Sequence, residues 1–360
     1  MCLPERLITT LAAFALLAGC NEGMTSPVVS PLKPNTLGHS ELIVLAAPRD
    51  DDPYYASVAQ DIFEFHVAYA RQVASHDRVL VLTDGASYPR YVEALGANRV
   101  AMAPMDDIWA RDFGLSNAAD PILFRYTAAG QGGGARGQRD AKRVQTTLAS
   151  LARDAGLIFK SSTLLNDGGN LVDDYAGNAV LSTKFLRDNR LSEDAARTKL
   201  RELGLVNIAF IEADEQGGLE PADGVVAFVD TNTLIINAYP EDAAYARALR
   251  ADLERGLPGV VIHEIVTPYD GSTVYDTRFG SACGLYTNVL VTPNRIYLPQ
   301  FGIPEDAVAL QQVRAATRRE IVPVRSDRVC RMGGGVRCMS WQVRGANAEL
   351  LLRRLGKTGR

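Results

Sequence analysis

The sequence predicts a mixed α/β fold, in one continuous domain that spans residues 40–360. Short runs rich in Val, Ile and Leu recur along the chain and indicate strands. Stretches with apolar residues at three- and four-residue steps lie between them and indicate helices. Strand pairs alternate with single helices at a period of roughly 60 residues, without a proline-rich or charged linker. Repeated β-rich units within one domain are therefore favoured over two domains in series.

Twelve segments are predicted as strands because they are short, apolar and rich in β-branched residues. These segments are Glu41–Ala46, Arg78–Leu82, Arg99–Ala103, Ile122–Arg125, Ala179–Ser182, Ile208–Ile211, Val225–Val229, Thr233–Asn237, Val260–Ile265, Val289–Thr292, Arg295–Leu298 and Ile321–Val324.

Five segments are predicted as helices from the spacing of their apolar residues. These are Pro53–Val73, Asp140–Ala155, Ser192–Leu203, Glu241–Arg255 and Pro304–Arg318. The first places Val58, Ile62 and Phe65 on one face, and Pro304 suits the first turn of the last. The glycine-rich segment Ala129–Ala135 lacks the Lys-Ser/Thr pair of a phosphate-binding loop. We interpret it as a flexible loop.

Charge and histidine content argue against several classes of function. The 38 Lys and Arg residues oppose 42 Asp and Glu residues, the net charge is −4, and there is no long basic run. A nucleic-acid partner is therefore not predicted. The four histidines, His39, His66, His76 and His263, are scattered without ligand spacing. No metal site is predicted, since metal chemistry would have to depend on carboxylates alone.

The N-terminus has the pattern of an exported lipoprotein. Residues 7–19 form an apolar run of about 13 residues, where a membrane-spanning helix needs about 20. The run ends in Leu17-Ala18-Gly19-Cys20, which resembles the lipobox of bacterial lipoproteins. Residues 1–19 are predicted as a signal peptide, Cys20 as the lipidated residue, and residues 20–39 as a flexible tether to the membrane. The predicted location is periplasmic or at the cell surface, and an N-terminal core helix is the alternative.

Four islands of acids and glycines stand where predicted strands begin or end. They are residues 105–114, 166–174, 222–224 and 332–340. Each island taken alone is typical of a loop, but together they supply several carboxylates and one cysteine. Paired carboxylates suit a planar, permanently charged guanidinium group. A cysteine is the side chain best able to attack the electrophilic guanidinium carbon near neutral pH.

Five motifs occur along the chain in a characteristic order. They are Trp109-Ala110-Arg111-Asp112, Gly168-Gly169-Asn170 with Asp174, the segment 223–230, Tyr286-Thr287-Asn288 with the segment 298–302, and the segment 333–338. In this order they resemble the agmatine deiminase and bacterial-type peptidylarginine deiminase family, over about residues 40–355. The resemblance implies the fold of the guanidino-group modifying superfamily. This is the pentein α/β propeller, with five ββαβ-like units around a pseudo-fivefold axis.

The resemblance also implies a reaction and the residues that perform it. Cys338 would be the nucleophile, and Asp112 and Asp223 would hold the guanidinium group. The other residues expected to bind the substrate are Trp109, Arg111, Asp167, Asn170, Asp174 and Asn288. A covalent thiouronium intermediate would release ammonia and then a ureido product, without a cofactor. Agmatine would yield N-carbamoylputrescine, and arginine in a peptide would yield citrulline, so the substrate is either this small molecule or an arginine-containing peptide.

The sequence departs from the family pattern at two positions. The family carries a His that serves as general acid and base two residues before the Asp of the third motif, and here that position is Pro221. Arg337 stands where the family often has a His before the cysteine, and it could either activate the thiol or repel a cationic substrate. Glu220 is a weak alternative base. A catalytically impaired lipoprotein that binds guanidinium groups is therefore the alternative function.

Two further interpretations concern single residues. Asp106 and Asp173 are interpreted as solvated acids in turns. Cys283 and Cys330 flank pocket motifs, and a disulfide between them, which would leave Cys338 free, is one of the possible arrangements.

Overall fold

The computed structural model describes residues 41–214 and 219–357. The strands are Glu41–Ala46 (β1), Arg78–Thr83 (β2), Val100–Met102 (β3), Ile122–Arg125 (β4), Lys160–Leu165 (β5), Val172–Asp173 (β6), Asn178–Ser182 (β7), Asn207–Ile211 (β8), Val226–Asp230 (β9), Thr233–Asn237 (β10), Val261–Ile265 (β11), Leu290–Val291 (β12), Arg295–Gln300 (β13), Glu320–Arg325 (β14) and Ser340–Arg344 (β15). The helices are Ala59–Ala74 (α1), Tyr88–Leu95 (α2), Ala110–Phe113 (α3), Gly134–Asp154 (α4), Lys184–Asn189 (α5), Glu193–Glu202 (α6), Ala243–Gly256 (α7), Glu305–Ala316 (α8) and Gly345–Arg354 (α9).

The strands of residues 41–214 and 219–357 form five separate small sheets. Their strand orders are β15-β1-β2-β3, β4-β5, β6-β7-β8, β11-β10-β9 and β12-β13-β14. The last strand of the chain pairs antiparallel with the first, so the C-terminal segment completes the first sheet. No helix among the described residues is long and apolar enough to cross a membrane.

One pairing pattern recurs in these sheets. In four of them an antiparallel strand pair is followed by a parallel strand, and at least one helix connects the two parallel strands. The sheet β4-β5 contains the parallel pair, with α4 connecting its two strands. In place of a third strand it has a single antiparallel bridge between Ser116 and Ile122. The predicted repeat of strand pairs and helices thus corresponds to this pattern.

Local sequence explains where several helices begin and which face is buried. The side chain of Ser192 accepts a hydrogen bond from the amide of Ala195 at the start of α6, and Asp242 accepts one from Tyr245 at the start of α7. Helix α1 buries Ile62, among other residues, at helical spacing against the first sheet. Strand β1 is buried along its whole length, because β15 and β2 flank it on both edges.

The predicted elements are all present, but α1 begins six residues later and α4 six residues earlier than predicted. The interpretation of Ala129–Ala135 is corrected. That segment contains a turn of 3-10 helix at Ala129–Gln131 and the first residues of α4. Three consecutive glycines with positive φ, Gly132 to Gly134, turn the chain between these elements. The predicted signal peptide, the tether and Cys20 lie outside the described residues.

A disulfide joins Cys283 to Cys330 across 47 residues of sequence and leaves Cys338 as a free, buried thiol. This confirms the pairing considered from the sequence. Nearby, the amide of Ala282 donates to the carbonyl of Cys330 at 2.8 Å. The disulfide therefore ties the connection between β11 and β12 to the connection that leads to Cys338.

Replacing both Cys283 and Cys330 with serine is expected to lower the free energy of unfolding by about 2–4 kcal/mol. A cross-link that closes a loop of this length restricts the unfolded chain by roughly that amount. Denaturant unfolding of the variant and of the oxidised parent measures the difference. An equal free energy of unfolding in the two proteins would contradict the prediction, and the parent kept in reductant should behave like the variant.

Candidate active site

A narrow cleft lies where several of the predicted residues meet. Its lining residues are Trp109, Asp112, Tyr126, Gly130, Asp167, Leu219, Pro221, Asp223, Phe279, Met332, Gly333 and Cys338. The cavity is therefore lined by four residues that the sequence analysis expected to have a catalytic or binding role, namely Asp112, Asp167, Asp223 and Cys338. Trp109, also expected to bind the substrate, forms part of the wall. Among the described residues, no group of three or more His, Cys, Asp or Glu side chains is arranged to hold a metal ion.

Each connection between one sheet and the next contributes to this site. The connection that follows β3 carries Asp112, the one after β5 carries Asp167, and the one after β8 carries Asp223. The connection after β11 carries Asn288, whose amide contacts the Cys338 sulfur, and the connection after β14 carries Cys338 itself. The repeated fold therefore assembles the site from residues far apart in sequence.

The Cys338 thiol is buried and held by polar neighbours. The Asn288 Nδ2 group donates to Sγ at 3.1 Å, and the Asn288 Oδ1 atom accepts from the amide of Arg337 at 3.1 Å. Asp223 Oδ2 lies 3.9 Å from Sγ. Burial first, and then the carboxylates of Asp223 and Asp112, raise the pKa of the Cys338 thiol well above its usual value. The sulfur is therefore protonated in the empty cavity at neutral pH.

Asp112 and Asp223 approach the same backbone position, Gly169. The Gly169 amide donates to Asp112 Oδ1 at 3.2 Å. A methyl group on Gly169 would lie 3.0 Å from Asp112 Oδ1 and 3.1 Å from Asp223 Oδ2, so a side chain at this position would displace both carboxylates by a few tenths of an ångström. Burial, and then Asp167 and Asp223, raise the pKa of Asp112 well above its usual value. The pair of carboxylates that the sequence predicts around a guanidinium group is thus present.

Two buried cations, which the sequence motifs did not identify as partners, offset part of this negative charge. Lys184 Nζ lies 3.5 Å from Asp167 Oδ2, and Thr127 Oγ1 donates to Asp167 Oδ1 at 2.5 Å. Arg337 Nη1 lies 2.7 Å from Asp223 Oδ2. Asp112 forms no ion pair with any residue in the described ranges. It is therefore the carboxylate of the cavity without an internal cation.

Arg337 lies behind Asp223. Besides Asp223, its guanidinium donates to the carbonyl of Leu171 at 2.8 Å, and it contacts the carbonyl of Gly169 at 3.4 Å. Sequence reasoning noted Arg337 only as a departure next to the cysteine. Its partner, Asp223, is 114 residues away, so nothing local in the sequence indicates the ion pair.

Four residues predicted to bind the substrate are not among those that line the cavity: Arg111, Asn170, Asp174 and Asn288. Of these, Asn288 contacts the Cys338 sulfur. The Arg111 side chain is buried, and its backbone amide donates to the carbonyl of Cys338 at 3.0 Å. Asn170 Oδ1 accepts from the amides of Ser182 and Ala222. Arg111 and Asn170 thus contact the connections that carry Cys338 and Asp223.

Asp174 is occupied by the turn between β6 and β7. Its Oδ1 atom accepts from the amides of Ala176 at 2.8 Å and Asn178 at 3.0 Å. Its Oδ2 atom accepts from the Asn178 side chain at 2.7 Å. The expectation that Asp174 lines the pocket is therefore corrected, because the carboxylate satisfies the turn.

The interpretation of Asp106 and Asp173 as solvated turn acids is wrong. Asp106 pairs with Arg143 at 3.2 Å and accepts from Thr147 Oγ1 at 2.9 Å. Asp173 is partly buried, and desolvation raises its pKa to about 6, although Arg337 and Arg111 oppose the shift. Both acids belong to networks that extend beyond their own turns.

The structure places Pro221 on the cavity wall, at the position where the family carries a His. None of the described residues that line the cavity is a histidine. His66 is buried beside Tyr91, where desolvation lowers its pKa to about 3, and His76 contacts Glu320. Glu220, considered as an alternative base, is not among the lining residues and pairs with Arg187.

Part of the uncharged wall was not predicted. Tyr126, Leu219 and Phe279 line the cavity but belong to none of the quoted motifs or islands, and Met332 begins the fourth island but was given no role. Their types are common in ordinary cores, so no sequence signal separates them from packing residues. The Tyr126 hydroxyl is buried and lies close to Gly130, where a methyl group would be only 2.4 Å from the oxygen.

Comparison with solved structures finds deiminases of the same fold. The agmatine deiminase of C. jejuni is 18% identical, with 86% of this chain and 94% of that chain covered and a TM-score of 0.70. The agmatine deiminase of Enterococcus faecalis is 16% identical, with 85% and 94% covered and a TM-score of 0.68. At these identities the likeness concerns the fold alone, and it confirms the α/β class with several small sheets.

Comparison of the sequence itself gives the family. No significant match occurs among curated protein sequences. The family model of the Porphyromonas-type peptidyl-arginine deiminases matches residues 34–343. That range contains the five motifs and the cavity described above. The chain therefore belongs to the Porphyromonas-type peptidyl-arginine deiminase family.

Proposed function

We propose that this protein hydrolyses a guanidino group, of agmatine or of arginine in a peptide, through a covalent intermediate on Cys338. The observation that carries the proposal is a free thiol in a cavity with two carboxylates that converge on Gly169. Such carboxylates suit the N–H groups of a guanidinium, whose carbon would then face the sulfur. Family membership and the fold of the agmatine deiminases support the same reaction class.

The substrate cation would itself help to form the thiolate. In the empty cavity burial, and then the neighbouring carboxyl groups of Asp223 and Asp112, hold the proton on Cys338. A bound guanidinium places a positive charge between Asp112, Asp223 and the sulfur, and an adjacent cation lowers the pKa of a thiol. Thiolate formation would therefore be coupled to substrate binding.

The direct test is to incubate the purified full chain with agmatine and, separately, with arginyl peptides. Ammonia and ureido product are measured for each substrate. Release of both products from either substrate would support the proposal and identify the substrate. Absence of both products with all substrates would contradict it.

A guanidinium-binding lipoprotein without turnover is the second candidate. It is favoured by one observation, Pro221 at the cavity wall in place of the general acid and base. A parent that binds agmatine or arginyl peptides without turnover, together with clear turnover in Pro221→His, would support this candidate. Turnover by the parent itself would reject it.

In the protein without substrate, alkylation of Cys338 by iodoacetamide is expected to be slow at pH 7. Because the thiol pKa is raised by burial and by Asp223 and Asp112, the thiolate fraction should grow about tenfold per pH unit through pH 9. Peptide mapping by mass spectrometry measures the rate at Cys338. A rate that levels off near pH 7 would contradict the prediction.

We also propose export and lipidation at Cys20, for which the apolar residues 7–19 and the segment Leu17-Ala18-Gly19-Cys20 provide the support. Metabolic labelling with a radioactive fatty acid tests this in cells. Label in the parent and none in Cys20→Ser is the expected result. Equal labelling of both proteins, or of neither, would contradict it.

The propeller arrangement of the five units around a pseudo-fivefold axis is part of the proposal too. Support comes from the five sheets and from the contribution of every connection between them to one site. A crystal structure in which the five sheets do not follow one another around one axis would contradict it.

A further inference from the structure

The proposed reaction requires a group that carries a proton between the thiol, the departing nitrogen and water. We propose that the Asp223 carboxylate is this carrier and that Arg337 is the positioning residue that orients it. This inference rests on the proposed function. It explains how a cavity without a described histidine on its wall could still complete the reaction.

The protons balance through one carboxylate. Asp223 first takes the proton of the Cys338 thiol while the sulfur forms a bond to the guanidinium carbon. It then gives this proton to one amino group of the adduct, and the C–N bond breaks with its electrons on the departing ammonia. The remaining nitrogen forms the C=N bond of the thiouronium. Asp223 is again a carboxylate at this stage.

The second half uses the same group in the reverse direction. Asp223 takes a proton from water as the water oxygen bonds to the thiouronium carbon. The C–S bond then breaks with its electrons on sulfur, and Asp223 returns a proton to restore the thiol. The proton of the new hydroxyl group leaves with ammonia as ammonium, so the ureido product is neutral.

Asp223 has the geometry that this role requires. Its Oδ2 atom lies 3.9 Å from the Cys338 sulfur. Its Oδ1 atom is buried and makes no hydrogen bond within the described part of the chain. A carboxylate oxygen that accepts an N–H of the substrate is also the atom best placed to return a proton to that nitrogen. Only 1% of the residue is exposed, so bulk water does not compete for the proton.

The other titratable side chains on the cavity wall fit the role less well. Both oxygens of Asp167 are engaged, one by Thr127 and one by Lys184. Asp112 makes no contact with the sulfur, and the Tyr126 hydroxyl makes none either, among the hydrogen bonds of the described residues. Asp223 is the carboxylate that touches the nucleophile.

Arg337 fixes the orientation of Asp223 without being able to carry the proton itself. Nη1 holds Asp223 Oδ2 at 2.7 Å, while Nη2 is anchored to the carbonyl of Leu171 at 2.8 Å. A guanidinium does not lose its proton in a protein at ordinary pH. Because Arg337 binds Oδ2, the Oδ1 atom of Asp223 remains free to accept a proton. The positive charge of Arg337 also allows the buried Asp223 carboxyl group to ionise.

The test compares kcat and KM of the full chain with those of Asp223→Asn, which preserves shape and one acceptor oxygen but cannot carry a proton. We expect kcat to fall by about 10²–10⁴-fold, the range for loss of a general acid and base. Adding Pro221→His to Asp223→Asn is expected to raise kcat at least tenfold above that of Asp223→Asn alone. The restored activity should titrate near pH 6.5, where a histidine changes charge. Pro221 has φ −77° and ψ 144°, a backbone conformation that a histidine adopts without strain.

Arg337→Gln provides a second readout that does not change the carboxylate. We expect kcat to fall about tenfold or more, with the acidic limb of the pH profile displaced to higher pH, because Arg337 lowers the pKa of Asp223. Arg250→Gln removes an exposed ion pair with Glu264 and serves as the control with unchanged kinetics. Thermal unfolding of each variant verifies its fold.

The outcomes separate this inference from the proposed function. An active parent whose Asp223→Asn variant keeps its kcat and loses only affinity would overturn the inference and leave the reaction standing. An unchanged pH profile in Arg337→Gln would overturn the positioning role. A parent without turnover on any guanidino substrate would overturn both the inference and the proposed function.

Discussion

Cys338→Ala is expected to abolish the release of ammonia and ureido product from any guanidino substrate that the parent hydrolyses. Removal of a catalytic nucleophile lowers kcat by about 10⁴-fold or more, because the covalent route is lost and only positioning by the remaining site is left. Cys338 is the free thiol of the described residues, and Asn288 holds its sulfur at 3.1 Å. The measurement is ammonia and ureido release under saturating substrate.

Two further measurements make this result specific to covalent catalysis. Parent enzyme quenched in acid during turnover should carry the mass of the thiouronium adduct on the peptide that contains Cys338. Cys338→Ala should show no adduct but should still bind agmatine or arginyl peptides in calorimetry, because Asp112 and Asp223 remain. Turnover in Cys338→Ala within tenfold of the parent would show that the reaction does not pass through this cysteine.

The periodicity of apolar residues and the content of β-branched residues were sufficient to predict the helices and strands that bury a continuous apolar face. Strand β1 and helix α1 are of this kind, and their predicted positions are confirmed. Two of the strands that were missed have no such signal, since Lys160–Leu165 is polar and largely exposed and Val172–Asp173 has only two residues. Ser340–Arg344 does alternate polar and apolar residues, but it is short and contains one β-branched residue, Val343. Their strand character comes from tertiary pairing, which a local pattern does not record.

The site residues that could be predicted from the sequence are those that belong to short recognisable motifs. Cys338, Asp112 and Asp223 lie together as expected, because each stands in a short connection next to a strand end. The ion pairs of Arg337 with Asp223 and of Lys184 with Asp167 were not predictable, since they depend on how separate connections meet. The same reason explains Asp174, which resembles a binding residue in sequence but is used by its own turn.

We expect Asp112 to be the main determinant of the affinity of the cavity for a cation. Three carboxylates, those of Asp112, Asp167 and Asp223, line the cavity, and buried cations pair with two of them. Only Asp112 lacks a cationic partner among the described residues. A carboxylate without an internal cationic partner is the one best able to pair with the positive charge of a guanidinium group.

The state of Asp112 depends on that cation. Burial and the neighbouring acids raise its pKa, so the empty cavity favours the protonated form. A bound guanidinium favours the ionised form of Asp112, and ionised Asp112 in turn strengthens the binding of the guanidinium. Because binding requires that Asp112 lose its proton, affinity should increase as the pH rises through the pKa of Asp112 in the empty cavity. It should then become independent of pH.

Asp112→Asn is accordingly expected to weaken binding of the guanidinium substrate by about 2–5 kcal/mol, the cost of removing one partner of a buried charge pair. This corresponds to an increase in Kd of about 30- to 4,000-fold. The increase with pH should disappear at the same time, because the titrating group is gone. Calorimetry in the Cys338→Ala background measures Kd without turnover. Asp174→Asn is the matched control, since its carboxylate serves the turn with Ala176 and Asn178 and not the cavity. Equal losses of affinity in the two variants would contradict the assignment of Asp112, because a general loss of stability would then explain both.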